Sequence, residues 1–329
     1  MQKLTPTLDF LIIGAPKAGT TSLFEYLRTH PELHLPKWKE TNFFLDHTYD
    51  RGVEWYLDWV LSGASAGAVC GEASVRYMAG TACTEPPDPT LAGGMSDAGG
   101  TTPEQVVPLR IHAALPEVKL IALLRDPVDR CISEYGMAAL RGVEARDLGE
   151  ALTDLLEPDR LTEARACFSP TNPYIVQSEY GRILTAYFEL FPREQLLVLF
   201  TKELAEDAAA VIRRICAFLG VADDFTPPNL GKRYLEGATR PRTRAFDVPR
   251  LTRYLRSREG LLSTWERVPL RLRQQAWTSA YFVEKWNRAP VPPGARPAVS
   301  EELQRALRAH FGPDRERLTR LIGVEPPWM

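Results

Sequence analysis

The chain has 329 residues, 44% of them hydrophobic and 25% charged, with a formal net charge of −2. That length can bury a large core, as one big domain or two small ones, and the composition is that of a soluble enzyme. A near-neutral balance excludes bulk attraction to nucleic acid or an anionic membrane, so any anion site has to be a local arrangement.

The first predicted element is the strand Leu8–Gly14, LDFLIIG, a continuous apolar run suited to burial on both faces. A helix follows in TTSLFEYLRTH, with Leu23, Phe24 and Leu27 on one side and Pro31 ending it. Between them, Gly14–Ser22 has the outline of a phosphate-binding loop. A Walker A loop places lysine directly after its second glycine. Here Thr20 follows Gly19, and the lysine is Lys17, inside the loop. Glycines permit close backbone approach, and successive N–H groups point at an anion at a helix N-terminus. Lys17 adds a full charge, and Thr20, Thr21 and Ser22 add hydroxyls. Taken alone, the stretch also reads as a plain glycine turn with a solvated lysine.

A second strand is predicted at Ala68–Glu72. The segment 81–105 is rich in Pro, Gly, Ser and Thr and reads as a mobile surface loop, because the strand pattern resumes after it. The strand Val118–Leu124 precedes a helix starting near Pro127, a favourable first-turn proline. A Walker B strand would end in aspartate for Mg²⁺. This one ends in Arg125, a fixed cation at the edge where open parallel sheets bind ligands. Ser133 lies about two turns into the next helix, within reach of an anion shared with Arg125. The alternative is that Arg125 pairs with Asp126 or Asp129 while Ser133 faces solvent. A helix over Glu179–Phe191 leads to the strand Gln195–Phe200, and a further helix ends at Gly220. Alternating strands and helices predict an α/β fold with a parallel sheet covered on both faces. The part 245–329 reads as helical and packed on the same domain, giving one domain over 1–329.

The five cysteines are dispersed, and Cys131 and Cys216 fall in helical patterns as small core residues. Their spacing argues against structural zinc and for a reducing, cytoplasmic setting. No apolar run reaches the roughly 18 residues of a membrane span. A first strand near Leu8 leaves no room for a signal peptide.

Together, APKAGTTSL (Ala15–Leu23) and LRDPVDRCISEY (Leu124–Tyr135) resemble the 5′-phosphosulfate loop and the 3′-phosphate motif of the PAPS-dependent sulfotransferases. The similarity is to the branch containing heparan sulfate sulfotransferases and bacterial relatives. KETNFF, GVEWYLDWV, GEASVRYM, FPREQLLVLFTKEL, ATRPRTRAF and GVEPPW fall in the family's order along most of the chain.

The resemblance implies a P-loop-type central parallel sheet, 3′-phosphoadenosine 5′-phosphosulfate (PAPS) as donor, 3′-phosphoadenosine 5′-phosphate (PAP) as product, and no metal. It places the 5′ group on Lys17, Ala18, Gly19, Thr20, Thr21 and Ser22, and the 3′-phosphate on Arg125 and Ser133. Lys17 would neutralise the leaving phosphate. Glu40, in KETNFF, would be the base, and an ordinary surface glutamate beside Lys39 is the alternative. Other family members use a histidine, for which His30, His34, His47 and His112 are the candidates. Glu72 orients the site or caps its strand. The basic stretch Lys232–Arg256 resembles the loop that closes over PAPS, with Arg240 and Arg242 on phosphate, or else it is a solvated face. The acceptor is expected to be a hydroxyl on a small metabolite, lipid, sugar or natural product, free or carrier-bound, and not nucleic acid. A P-loop kinase or NTPase, and a catalytically silent nucleotide-binding protein, are the competing readings.

Overall fold

A computed structural model describes residues 7–45, 47–79, 103–140, 143–166, 169, 171–232, 234, 239–241, 288–290 and 299–328. Its centre is a five-stranded, all-parallel sheet in the order β2-β3-β1-β4-β5. The strands are β1 (Phe10–Gly14), β2 (Leu33–His34), β3 (Val69–Ala73), β4 (Lys119–Leu124) and β5 (Leu196–Phe200). Four of the five were legible as apolar runs. The two-residue β2 was not, because it is too short to show a period.

Every residue of β1 is buried, as a central strand between β3 and β4 requires. Phe10 pairs with Gly71 on one side and Lys119 on the other, and Ile12 pairs with Ala73 and Ile121. From β1 the chain runs to β2 and back through β3 on one side, then crosses to β4 and β5 on the other, so the carboxyl end of β1 lies at the switch point of the sheet.

The helices are α1 (Thr20–Leu27), α2 (Val53–Val60), α3 (Pro103–Ala114), α4 (Pro127–Leu140), α5 (Leu148–Leu156), α6 (Pro158–Ala166), α7 (Pro173–Val176), α8 (Tyr180–Phe188), α9 (Thr201–Glu206), α10 (Ala208–Leu219) and α11 (Glu301–Ile322). The expected loop over 81–105 is shorter at its end: α3 starts at Pro103, a residue pre-set for a first helical turn, so 103–105 are helical. Residues 81–102 lie outside the described residues. Helix α10 ends at Gly220 in the left-handed conformation (φ 80°), as its sequence indicates.

α11 packs along α8 and caps it. The Asp314 carboxylate accepts the N–H groups of Gly181 and Arg182, each at 2.8 Å, from the open first turn of α8. Beside it, the buried Glu179 accepts from Arg165, Arg182 and His310. Cys131 and Cys216 are buried free thiols, as is Cys70.

The chain divides into two compact units, the first comprising 1–135, 146–234 and 298–329. The second comprises 136–145 and 235–297. Its described regular structure includes an antiparallel pair, β6 (Thr239–Pro241) with β7 (Arg288–Pro290), in which Arg240 stands opposite Ala289.

Candidate active site

Three strand ends converge where β1 gives way to α1. The Ala15 N–H donates to the Leu123 carbonyl of β4 at 2.8 Å, tying the start of the loop to its neighbour. Lys17 has φ 66°, and Gly19 follows at φ 94°, a left-handed turn that only glycine adopts without steric cost. Thr201 Oγ1, at the start of α9, lies 2.6 Å from the Ala18 carbonyl and 3.0 Å from that of Leu124. These contacts fix the loop from β4 and β5 together. The first amides of α1 have no carbonyl four residues back inside the helix, so the Thr20 and Thr21 N–H groups open toward the loop. This arrangement fits a phosphate or sulfate ester.

Ala18 and Thr20 are buried, Lys17 is half-buried and Gly19 is exposed. Ser22 is also buried: its hydroxyl accepts the Tyr234 N–H at 3.0 Å, holding the turn before Tyr234 against α1. Tyr26 supports the same turn, donating its hydroxyl to the Lys232 carbonyl at 2.8 Å.

Arg125 directly follows β4. Its Nη1 donates to the Lys17 carbonyl at 3.3 Å, and Nη2 pairs with Asp129 at 3.5 Å. The alternative pairing foreseen for Arg125 is therefore present, together with a contact to the loop. Its neighbour Asp126 is committed elsewhere, accepting the N–H groups that open α4 and pairing with Arg308 of α11 at 2.7 Å. The Tyr180 hydroxyl donates to the Arg125 carbonyl at 3.0 Å, fixing this turn from α8. Ser133 is half-buried on α4. Arg130, one turn above Asp126, is fully buried and spends its guanidinium on Ser178, Glu134 and the carbonyls of Pro173 and Tyr174. It holds α4 in place.

Glu40 sits beyond the end of β3. Its backbone N–H donates to the Ala73 carbonyl at 2.8 Å, and its Oε2 accepts the Val75 N–H at 3.1 Å. The residue has φ 67° and Asn42 has φ 54°, so the peptide makes a tight left-handed turn here. A buried polar cluster supports that turn. Ser74 accepts the Asn42 N–H at 2.9 Å, and donates its hydroxyl to Glu72 at 2.6 Å. Tyr56 donates to the other oxygen of Glu72 at 3.3 Å. Burial, with the nearby Glu40 charge, pushes the Glu72 carboxyl up to about 7 against the hydrogen bonds from Ser74 and Thr41. Glu72 is thus an internal acid beneath the turn.

Lys39, in the sequence merely the neighbour of Glu40, joins the two halves in space. Its ammonium donates to Thr20 Oγ1 at 3.0 Å and pairs with Glu40 Oε1 at 2.9 Å. The glutamate and the loop are therefore brought together, one lysine apart. Three histidines serve structure instead. His30 bonds the Ala222 carbonyl and accepts the Glu32 N–H, His34 bonds the Val60 carbonyl, and the His112 ring meets Phe191 edge-on. Arg242 and the side chains of Arg240 and His47 lie outside the described residues.

Residues 7–236 match the family described as the sulfotransferase domain. The chain belongs to the sulfotransferase family. It is 27% identical over 231 residues to the mouse bifunctional heparan sulfate N-deacetylase/N-sulfotransferase 4, covering 66% of this chain and 22% of that one. It is 28% identical over 212 residues to the mouse heparan sulfate glucosamine 3-O-sulfotransferase 3B1, covering 64% of this chain and 45% of that one. The chain thus spans less than half the length of these relatives. A solved structure of a sulfotransferase from Alicyclobacillus acidocaldarius has the same fold, with a TM-score of 0.62, 23% identity and 98% of both chains covered.

Proposed function

We propose that the protein transfers the sulfuryl group of PAPS to an acceptor hydroxyl, with Glu40 as base and Lys17 at the leaving group. The observation that carries this is the junction at the switch point, where Arg125 bonds the carbonyl of Lys17 and Lys39 bonds Thr20 and Glu40. Cations for both ends of a doubly phosphorylated nucleotide, and a carboxylate for the acceptor, meet at one sheet edge. The amides of Gly19, Thr20 and Thr21 and the loop hydroxyls hold the 5′ phosphosulfate. Arg125 and Ser133 hold the 3′-phosphate.

In the reaction, the acceptor oxygen forms its bond to sulfur as the bridging bond from sulfur to the 5′-phosphate oxygen breaks. The acceptor proton passes to Glu40, and the electron pair of the broken bond stays on PAP. The charge arising there falls to Lys17 and the helix N-terminus to stabilise, the kind of oriented groups that favour a developing anion. The transferring group carries less charge than a γ-phosphoryl group, so protein cations serve in place of a metal.

The acceptor is a hydroxyl on a small metabolite, lipid, sugar or natural product, free or carrier-bound. One relative's name specifies N-sulfation and another 3-O-sulfation. The choice of oxygen here is our own. Among the described residues no helix is long and apolar enough to cross a membrane. Buried free thiols support a reducing, cytoplasmic setting. A kinase reading is disfavoured by Arg125 at the end of β4, where Mg²⁺ would require a carboxylate. The test is PAP release from PAPS, followed chromatographically with EDTA present, against a panel of phenols, sugars and sterols. Acceptor-dependent release supports the assignment, and ATP turnover that requires Mg²⁺ would replace it with a kinase.

A further inference from the structure

Lys39 is a weak signal in the sequence and a central one in space. Its side chain is only 14% exposed, so its two contacts are not those of a lysine waving in solvent. One goes to Thr20 Oγ1, on the first residue of α1, beside the amides that open toward an anion. The other goes to Glu40 Oε1. A hydroxyl that accepts from an ammonium is polarised to donate its own proton onward. An anion on the α1 amides would therefore meet the Thr20 hydroxyl and, behind it, the Lys39 charge. The same ammonium is the counter-ion of Glu40. A phosphate and the carboxylate must then compete for it.

On the reading that this loop takes the 5′ end of the donor, we infer that Lys39 is a second donor-binding cation, specific for the 5′-phosphate, whose ion pair with Glu40 is exchanged for that phosphate. Before the donor arrives, Lys39 holds Glu40 against the loop. Once the phosphate is seated, the ammonium turns toward it, and Glu40 Oε1 is released to face the acceptor. Glu40 keeps its hold on the Val75 N–H through Oε2, so the carboxylate stays in place while one oxygen becomes available. The donor thereby prepares its own base, and an enzyme without donor keeps that base occupied.

The test needs no acceptor. Affinities for PAP and for adenosine 3′-phosphate, which lacks the 5′-phosphate, are measured by calorimetry with EDTA present. Losing a charged hydrogen bond to phosphate predicts that Lys39→Met weakens PAP about tenfold or more, while adenosine 3′-phosphate changes less than about twofold. Lys39→Arg should keep most of the preference for PAP. Lys39→Gln, which retains a donor to Thr20, should fold even where Met does not, and should lose the preference. Glu40→Gln should tighten PAP about threefold, because the competing carboxylate is gone. Equal effects of Lys39→Gln on the two nucleotides, or unaltered or weaker PAP binding in Glu40→Gln, would overturn the inference. Wild-type protein that prefers PAP while Lys39→Gln keeps that preference would sink Lys39 alone. Wild-type protein that binds neither nucleotide would sink the donor reading and this inference with it.

Discussion

The guanidinium of Arg125 donates to the backbone carbonyl of Lys17 at 3.3 Å. The group expected on the 3′-phosphate therefore also steadies the left-handed residue at the heart of the 5′ loop. The two ends of the proposed donor site are thus joined through one side chain. Arg125→Ala should remove a charged hydrogen bond of about 1.5–3 kcal/mol, weakening PAP by about 10- to 100-fold. Adenosine 5′-phosphate should lose much less, so the preference for the 3′-phosphorylated nucleotide collapses. Paired titrations of the two nucleotides check this, and equal losses would defeat the assignment of Arg125.

Lys17→Ala removes the charge proposed to face the leaving phosphate. Loss of one oriented stabiliser at a developing anion typically costs about 10²–10³ in kcat. The fold should survive, because Lys17 is half-buried and the loop keeps its ties to Leu123 and Thr201. Single-turnover rates with PAPS, alongside thermal melts, separate the two effects.

Glu40→Gln should still bind the donor, with PAP about threefold tighter, and lose about 10²–10⁴ in rate, the usual range for a general base. The amide keeps an oxygen for the Val75 N–H, so the turn at the end of β3 stays intact. Full turnover in this variant would remove Glu40 as the base.

Glu72 and Glu179 make opposite contributions to stability as pH changes. For Glu72, the folded carboxyl is raised to about 7 from 4.5, chiefly by burial. Its neutral form suits the fold, so the associated stability is fully present below about pH 4.5 and is lost as pH rises through 7. Glu72→Gln should therefore gain on wild type between pH 5 and 8, by at most about 3 kcal/mol. For Glu179, burial alone would raise the carboxyl, but His310, Arg165 and Arg182 outweigh it and hold it at about 2. That stability is present above about pH 4.5 and fades as pH falls toward 2. Melting temperatures of wild type and Glu72→Gln from pH 3 to 8 test both signs. A constant difference between the two proteins would refute the Glu72 account.

Much of this arrangement is legible in one dimension. Burial writes β1, most of β4 and the edge strand β5 as apolar runs, and the loop's glycine, lysine and threonines lie close together in sequence. Arg125 stands out because its position at a strand end is itself a signal. Lys39 could not be found that way, since its meaning comes from Thr20, nineteen residues away, and a lysine beside a glutamate is common on any surface. The same holds for the Asp314 cap on α8, formed across 133 residues, and for Thr201, which braces the loop from the far side of the sheet. Contacts made by folding leave no local pattern to read.

The most direct test of the central claim is a calorimetric titration of the wild-type protein with PAP and, separately, with ATP, each with Mg²⁺ and with EDTA. The account predicts tight PAP binding that is indifferent to EDTA, and much weaker binding of ATP. Binding of ATP alone, and only with Mg²⁺, would contradict it.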